Sequence, residues 1–136
     1  MADLTITAAQ VALVSGETVT RVAGAAITAG QTCYYDSAAG TAKLADNDAA
    51  TTDDVEGLAL CSCASGQHVV LQKNGTITLG AGAAPTEGQV YILSSTAGGI
   101  CPISDLASAD YLTILGAANG SNQLVMKIHI TGIQKT

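Results

Sequence analysis

The stretch from Thr28 to Thr41, TAGQTCYYDSAAGT, returns 58 residues later as TEGQVYILSSTAGG, Thr86 to Gly99. The two agree at Thr28/Thr86, Gly30/Gly88, Gln31/Gln89, Ser37/Ser95, Ala39/Ala97 and Gly40/Gly98. Only about one or two identities are expected by chance over such a window, so the pattern reads as a duplicated unit. In both copies Gly ends a turn, Gln opens an apolar strand and a second Gly closes a hairpin. Each copy continues into a Gly-bearing apolar strand (VEGLAL, TILGAA), a polar turn and another strand (QHVVLQ, QLVMKIHI). Two such units can pack face to face, each covering the other's apolar side. The expected division is an N-terminal segment 1–27 of strands or an arm, a first β unit 28–85 and a second 86–136, in one compact domain.

The rest of the chain has the same texture of short apolar or alternating runs between Gly, Ser, Asn and Asp. Strands are predicted at LTIT (4–7), QVALV (10–14), TVTRV (18–22), QTCYY (31–35), VEGLALC (55–61), HVVLQ (68–72) and TITL (76–79). QVYILS (89–94), YLTILG (111–116) and LVMKIHI (124–130) complete the set. Thr76–Leu79 and Met126–Ile130 alternate with period two, which places their apolar side chains on one face. SGE at 15–17 and Asn74-Gly75 are the strongest turn signals, the second matching a tight hairpin turn. Helix is expected at most once, over SDLASAD (104–110) with Ser104 as N-cap. The fold class is all-β: a compact sandwich or barrel built from two related β units.

Composition narrows the work such a fold can do. There is no Phe or Trp, four Tyr, and an apolar 48% made mostly of Ala, Val, Leu and Ile. An Ala-rich core gains little per residue at about 25 cal/mol per Å2, so association with further copies is expected. Five Lys and Arg stand against eleven Asp and Glu, a net charge of −6. That balance excludes nucleic acid, which needs a basic face, and electrostatic docking on anionic membranes. MADLTITAAQ does not read as a signal peptide, and no apolar run approaches the ~20 residues of a span. Cys33, Cys61, Cys63 and Cys101 are expected to be reduced, which fits synthesis in a cytoplasm.

Chemical constellations are weak. The acidic segment 45–56 holds five carboxylates, but counted from Asp46 it puts Ala50 at position 5, Thr51 at 6 and Gly57 at 12, so it fails the EF-hand pattern. It reads as a solvated loop. Cys61, Cys63, His68 and His129 are the right atoms for zinc, yet Cys-x-Cys lacks the usual knuckle spacing. A Cys–His nucleophile needs a positive setting that this chain lacks beyond His68 and Lys73. Neither a Gly-x-Ser-x-Gly elbow nor a phosphate loop is present. The expectation is therefore no enzyme, no metal and no cofactor.

The opening MADLTITAA, then ITAGQTCYYDSAAGTAKLADNDA, VEGLAL, GQHVVLQKNGTITLG, EGQVYILSSTAGGICPISDLASADYLTILGAA and the closing IHITG resemble the small capsid cement, or head decoration, proteins of tailed bacteriophages. The resemblance covers essentially the whole chain and rests on the rhythm of turns and strands. LCSCAS departs from it, standing where Ala, Asn or Ser is expected. The resemblance implies a structural virion protein that binds the outer surface of an icosahedral head after expansion and clamps neighbouring major capsid subunits. It also implies a homo-oligomer, a trimer being favoured. A receptor- or glycan-binding β-domain of the virion is the alternative, disfavoured by the missing Trp and Phe. The segment ADLTITAAQVALV is expected either as an arm pairing with a neighbour or as an ordinary first strand. Leu4, Ile6, Tyr34 and Tyr91 are the residues expected at capsid or oligomer contacts.

Overall fold

The computed structural model describes residues 3–49, 51–120 and 122–136; Met1, Ala2, Ala50 and Ser121 lie outside the described residues. The protein is nearly all β, with two antiparallel sheets packed against each other. The strands are β1 (Ala12–Ser15), β2 (Thr18–Val22), β3 (Thr32–Asp36), β4 (Thr41–Leu44), β5 (Val55–Ala59) and β6 (His68–Gln72). They continue as β7 (Asn74–Thr78), β8 (Val90–Leu93), β9 (Ile100–Pro102), β10 (Tyr111–Ala118) and β11 (Gln123–Gln134). One sheet has the order β2-β6-β5-β3-β4. The other runs β1-β7-β11-β10-β8-β9, so behind the extra edge strand β1 it repeats the first sheet strand for strand.

The repetition reaches individual hydrogen bonds. Gly30 N–H donates to Ala59 O at 2.7 Å and Gly88 N–H to Ala118 O at 3.0 Å. Ala59 N–H donates to Gln31 O and Ala118 N–H to Gln89 O, at 2.9 and 3.1 Å. It also extends upstream of the repeated phrase, because Thr18-Val19-Thr20 of β2 and Thr76-Ile77-Thr78 of β7 occupy matching places.

The units do not pack as mirror partners. In the first, Cys33, Ala42, Ala59, Val69 and Leu71 point away from the other sheet and form a small core of their own with Ala23 and Ile27. That sheet curls until the end of β2 reaches β4, where Ala23 bridges Ala42 and Gly24 N–H donates to Ala42 O. The matching face of the second unit carries Ile77, Tyr91, Leu93, Ile100 and Leu124 and meets Val55 and Leu58 from the other side of the first. The outer side of unit one thus fills the inner side of unit two, and this inter-sheet cluster is the larger core.

Two turn expectations are corrected. Asn74-Gly75 does not close a hairpin: β6 and β7 belong to different sheets, and the pair opens β7. Gly75 does take the positive φ, +82°, but uses it where the chain passes between sheets. A Cβ there would lie 2.0 Å from the Ser15 carbonyl oxygen, because the 15–17 turn also carries the chain between sheets and runs against it. Gln72, wholly buried, ties the two passages together: its Nε2 donates to Ser15 O, Asn74 O and Thr76 O at 2.9, 2.8 and 3.0 Å.

Residues 4–7 are not a strand. Leu4 N–H donates to Ile100 O at 2.8 Å, a short 3-10 turn follows at Ala8–Gln10, and Leu4, Ile6 and Val11 pack on the inter-sheet core. The expected helix shrinks to a 3-10 turn at Ile103–Asp105, with Pro102, not Ser104, at its N-cap. The acidic segment is more than a solvated loop. Asn47 N–H donates to Ser94 O, Asn47 Nδ2 to Leu93 O, Tyr111 N–H to Asn47 O and Thr113 Oγ1 to Asp53 O. It clasps unit two to unit one, and this buries Asn47 and Asp53.

Candidate docking surface

Across β8, β10 and β11 the outer face of the six-stranded sheet is largely aliphatic where a solvated sheet would be polar, with Thr76 of β7 next in the row. Val90 of β8, Ala117 of β10 and Val125 of β11 pair in one cross-strand row. Beside them Ile114 pairs with His129. These residues, with Gly116, Lys127 and Ile128, line a shallow groove of about 510 Å3. On β11 the inward Leu124 and Met126 are buried, whereas Val125 between them is 44% exposed. Ile133 is 65% exposed further along β11, Leu13 and Val14 stand exposed on the edge strand β1, and Ile130, paired with the buried Thr113, lines a separate groove with Val55 and Glu56. Contiguous exposed apolar surface of this kind marks contact sites more often than isolated exposed residues do.

The duplication shows how unusual this face is. Its row has a counterpart in unit one, Thr32–Leu58–Gln72, paired in the same order across β3, β5 and β6. All three of those residues are fully buried, at 0% exposure.

The structure does not gather the four expected contact residues on this face. Leu4 and Ile6 are half-buried against the chain's own core, as is Tyr34. Tyr91 is 1% exposed, and its hydroxyl accepts a hydrogen bond from Thr86 N–H at 2.8 Å. It has no surface to give a partner. Its ring is the bulk that the inter-sheet core needs, and the hydroxyl satisfies a turn amide. Val90, Ile114, Ala117 and Val125 were missed because strands were read for alternation. The usable signal was the runs VYIL, ILGAA and LVM, free of polar side chains but for the Tyr91 hydroxyl, which mark strands apolar on both sides.

Cys33, Cys61 and Cys63 share the small core of unit one, while Cys101 lies in the other sheet. Burial pushes Cys33 up to about 12, with Cys63 adding to the shift, and burial likewise pushes Cys101 up to about 12. Burial also raises Cys63, so these thiols are poorly placed to ionise. His68 sits exposed at the start of β6, in the opposite sheet from His129. Among the described residues no three His, Cys, Asp or Glu side chains form a metal-binding group. Among them, too, no helix is long and apolar enough to cross a membrane. No family model matches the chain, and no curated protein matches it.

Proposed function

We propose that this chain is a structural virion protein of the capsid cement type. It binds the outer surface of an icosahedral phage head and stabilises contacts between major capsid subunits. It acts as a homo-oligomer, with a trimer favoured, and does so by adhesion and not by catalysis. The observation that carries the reading is the aliphatic outer face of the second unit, centred on Val90, Ala117 and Val125, on a compact chain of net charge −6. The face supplies apolar area for association into the oligomer, and the acidic balance suits a surface facing away from packaged DNA. Small residues on strands lose little side-chain freedom when they meet a flat partner, which lowers the cost of binding. Several such contacts made by one oligomer reinforce each other through effective concentration.

The test is co-sedimentation with phage heads stripped of decoration, before and after expansion. Saturable binding to expanded heads, with a rise in their melting temperature, is the expected result. Failure to bind either form would remove the reading.

A further inference from the structure

We infer that the Val90–Ala117–Val125 face is a contact between copies of this chain, in which the face of one copy receives the acidic 45–54 segment of the next. This rests on the decoration reading for self-association and adds the surface and its occupant. The first ground is the duplicated row. In unit one, Leu58 is covered by the second sheet of the same molecule, and Thr32 and Gln72 on either side of it are fully buried. In unit two the row has the same register, but Val125 is 44% exposed and Val90 and Ala117 are only half-buried. The exposed row is nevertheless the more aliphatic at its ends, with Val90 and Val125 where the buried row has Thr32 and Gln72. Solvent exposure ordinarily goes with the reverse substitution.

Charge selects the occupant. Lys127 and His129 border the groove, and no carboxylate is among the described residues lining it. The chain as a whole has eleven carboxylates against five Lys and Arg. A two-fold contact of this face with itself brings Lys127 towards Lys127 of the second copy, like charges whose carboxylate neighbours, Glu17 and Glu56, line the adjoining groove and not this one. A head-to-tail contact answers them, since Asp48 and Asp54 stand exposed on the 45–54 segment. Described residues on either side of Ala50 in that segment are already held by hydrogen bonds. Asp46 Oδ1 accepts from Asp48 N–H and Thr52 Oγ1, at 3.1 and 2.8 Å, and Asn47 is fastened to unit two. Presenting it to a neighbour therefore costs little further ordering. Head-to-tail contacts of identical chains close into rings when the rotation between copies closes, and otherwise run on as filaments; a ring is the form that a decoration trimer requires.

Analytical ultracentrifugation of the full chain tests this across the micromolar range. The wild type is expected to sediment as a closed oligomer. Val125→Glu, at an exposed site that should leave the fold intact by circular dichroism, is expected to weaken association about tenfold or more. Lys127→Glu is expected to do likewise. Adding Asp48→Lys and Asp54→Lys to the Lys127→Glu chain is expected to restore the oligomer. Thr18→Glu, on exposed β2, is the control and should change nothing. A monomeric wild type, an unchanged mass for Val125→Glu, or no rescue by the triple variant would overturn the inference. Head binding is scored separately. An oligomer unaffected by Val125→Glu that still coats heads defeats only this inference, whereas a ring that ignores heads defeats only the decoration reading.

Discussion

In the first unit the row Thr32–Leu58–Gln72 is closed off from water, while in the second its counterpart Val90–Ala117–Val125 faces outward. The strand order is the same, so topology did not make the difference. Side-chain size did. Where unit one places Cys33 and Ala42 on its inner face, unit two places Tyr91 and Ile100. Small residues let the first sheet curl until Ala23 meets Ala42, so its interior is filled by itself. The larger set holds the second sheet open, and the outer side of unit one fills it. A duplicated chain can thus become a head-to-tail stack of two whose last face is left over.

The largest test of that comparison is Leu58→Ala. Leu58 is wholly buried where the two units meet. Truncation is expected to cost about 2–5 kcal/mol, with both units still melting in one urea transition. Tyrosine fluorescence and far-ultraviolet circular dichroism should give coincident curves. Two separate transitions would mean that each unit stands alone and that the unequal packing is not what holds them.

Next in size is a matched pair of glycines. A Cβ on Gly57 would sit 2.4 Å from Gln72 O, and one on Gly116 would sit 2.0 Å from Val125 O, the corresponding carbonyl. Gly57→Ala and Gly116→Ala are each expected to destabilise by about 1–3 kcal/mol, the second more than the first. If only one of the pair moves the urea midpoint, the residue-level equivalence of the units fails.

Much of this was legible in the sequence, for identifiable reasons. Gly30/Gly88 and Gln31/Gln89 are turn and strand-opening residues, whose roles are local, so the repeat could be read from them directly. The strand assignments of β2, β3, β5, β6, β8 and β10 followed from the same local patterning. What was not legible depends on distant partners. Asn74-Gly75 has the backbone of a turn whether the next strand returns to the same sheet or leaves it, and only Ser15 and Gln72, far along the chain, decide. The docking face stayed hidden because Tyr91 and Val125 are both apolar strand residues. Which of them is covered depends on which side of each sheet the other unit fills.

The smallest effect concerns the clasp that links the units. Asp53 is 1% exposed, with no hydrogen-bond partner for Oδ2, and its carboxyl is pushed up to about 6, first by burial and then by neighbouring Asp54. In the unfolded chain an aspartate titrates near ~3.9. Between those values the folded state holds the extra proton, so lowering the pH through 6 stabilises the fold, and the gain levels off below ~4. Other carboxylates titrate over the same range, so the readout is a difference between wild type and Asp53→Asn in urea unfolding at pH 7, 6 and 5. Relative to the variant, the wild type should gain stability as the pH falls. Thr113 Oγ1 bonds the Asp53 carbonyl and not its carboxyl, so the substitution leaves that tie to unit two in place. A difference that is flat with pH would mean the carboxyl is solvated, and the clasp would then be held by Asn47 and the Asp53 backbone alone.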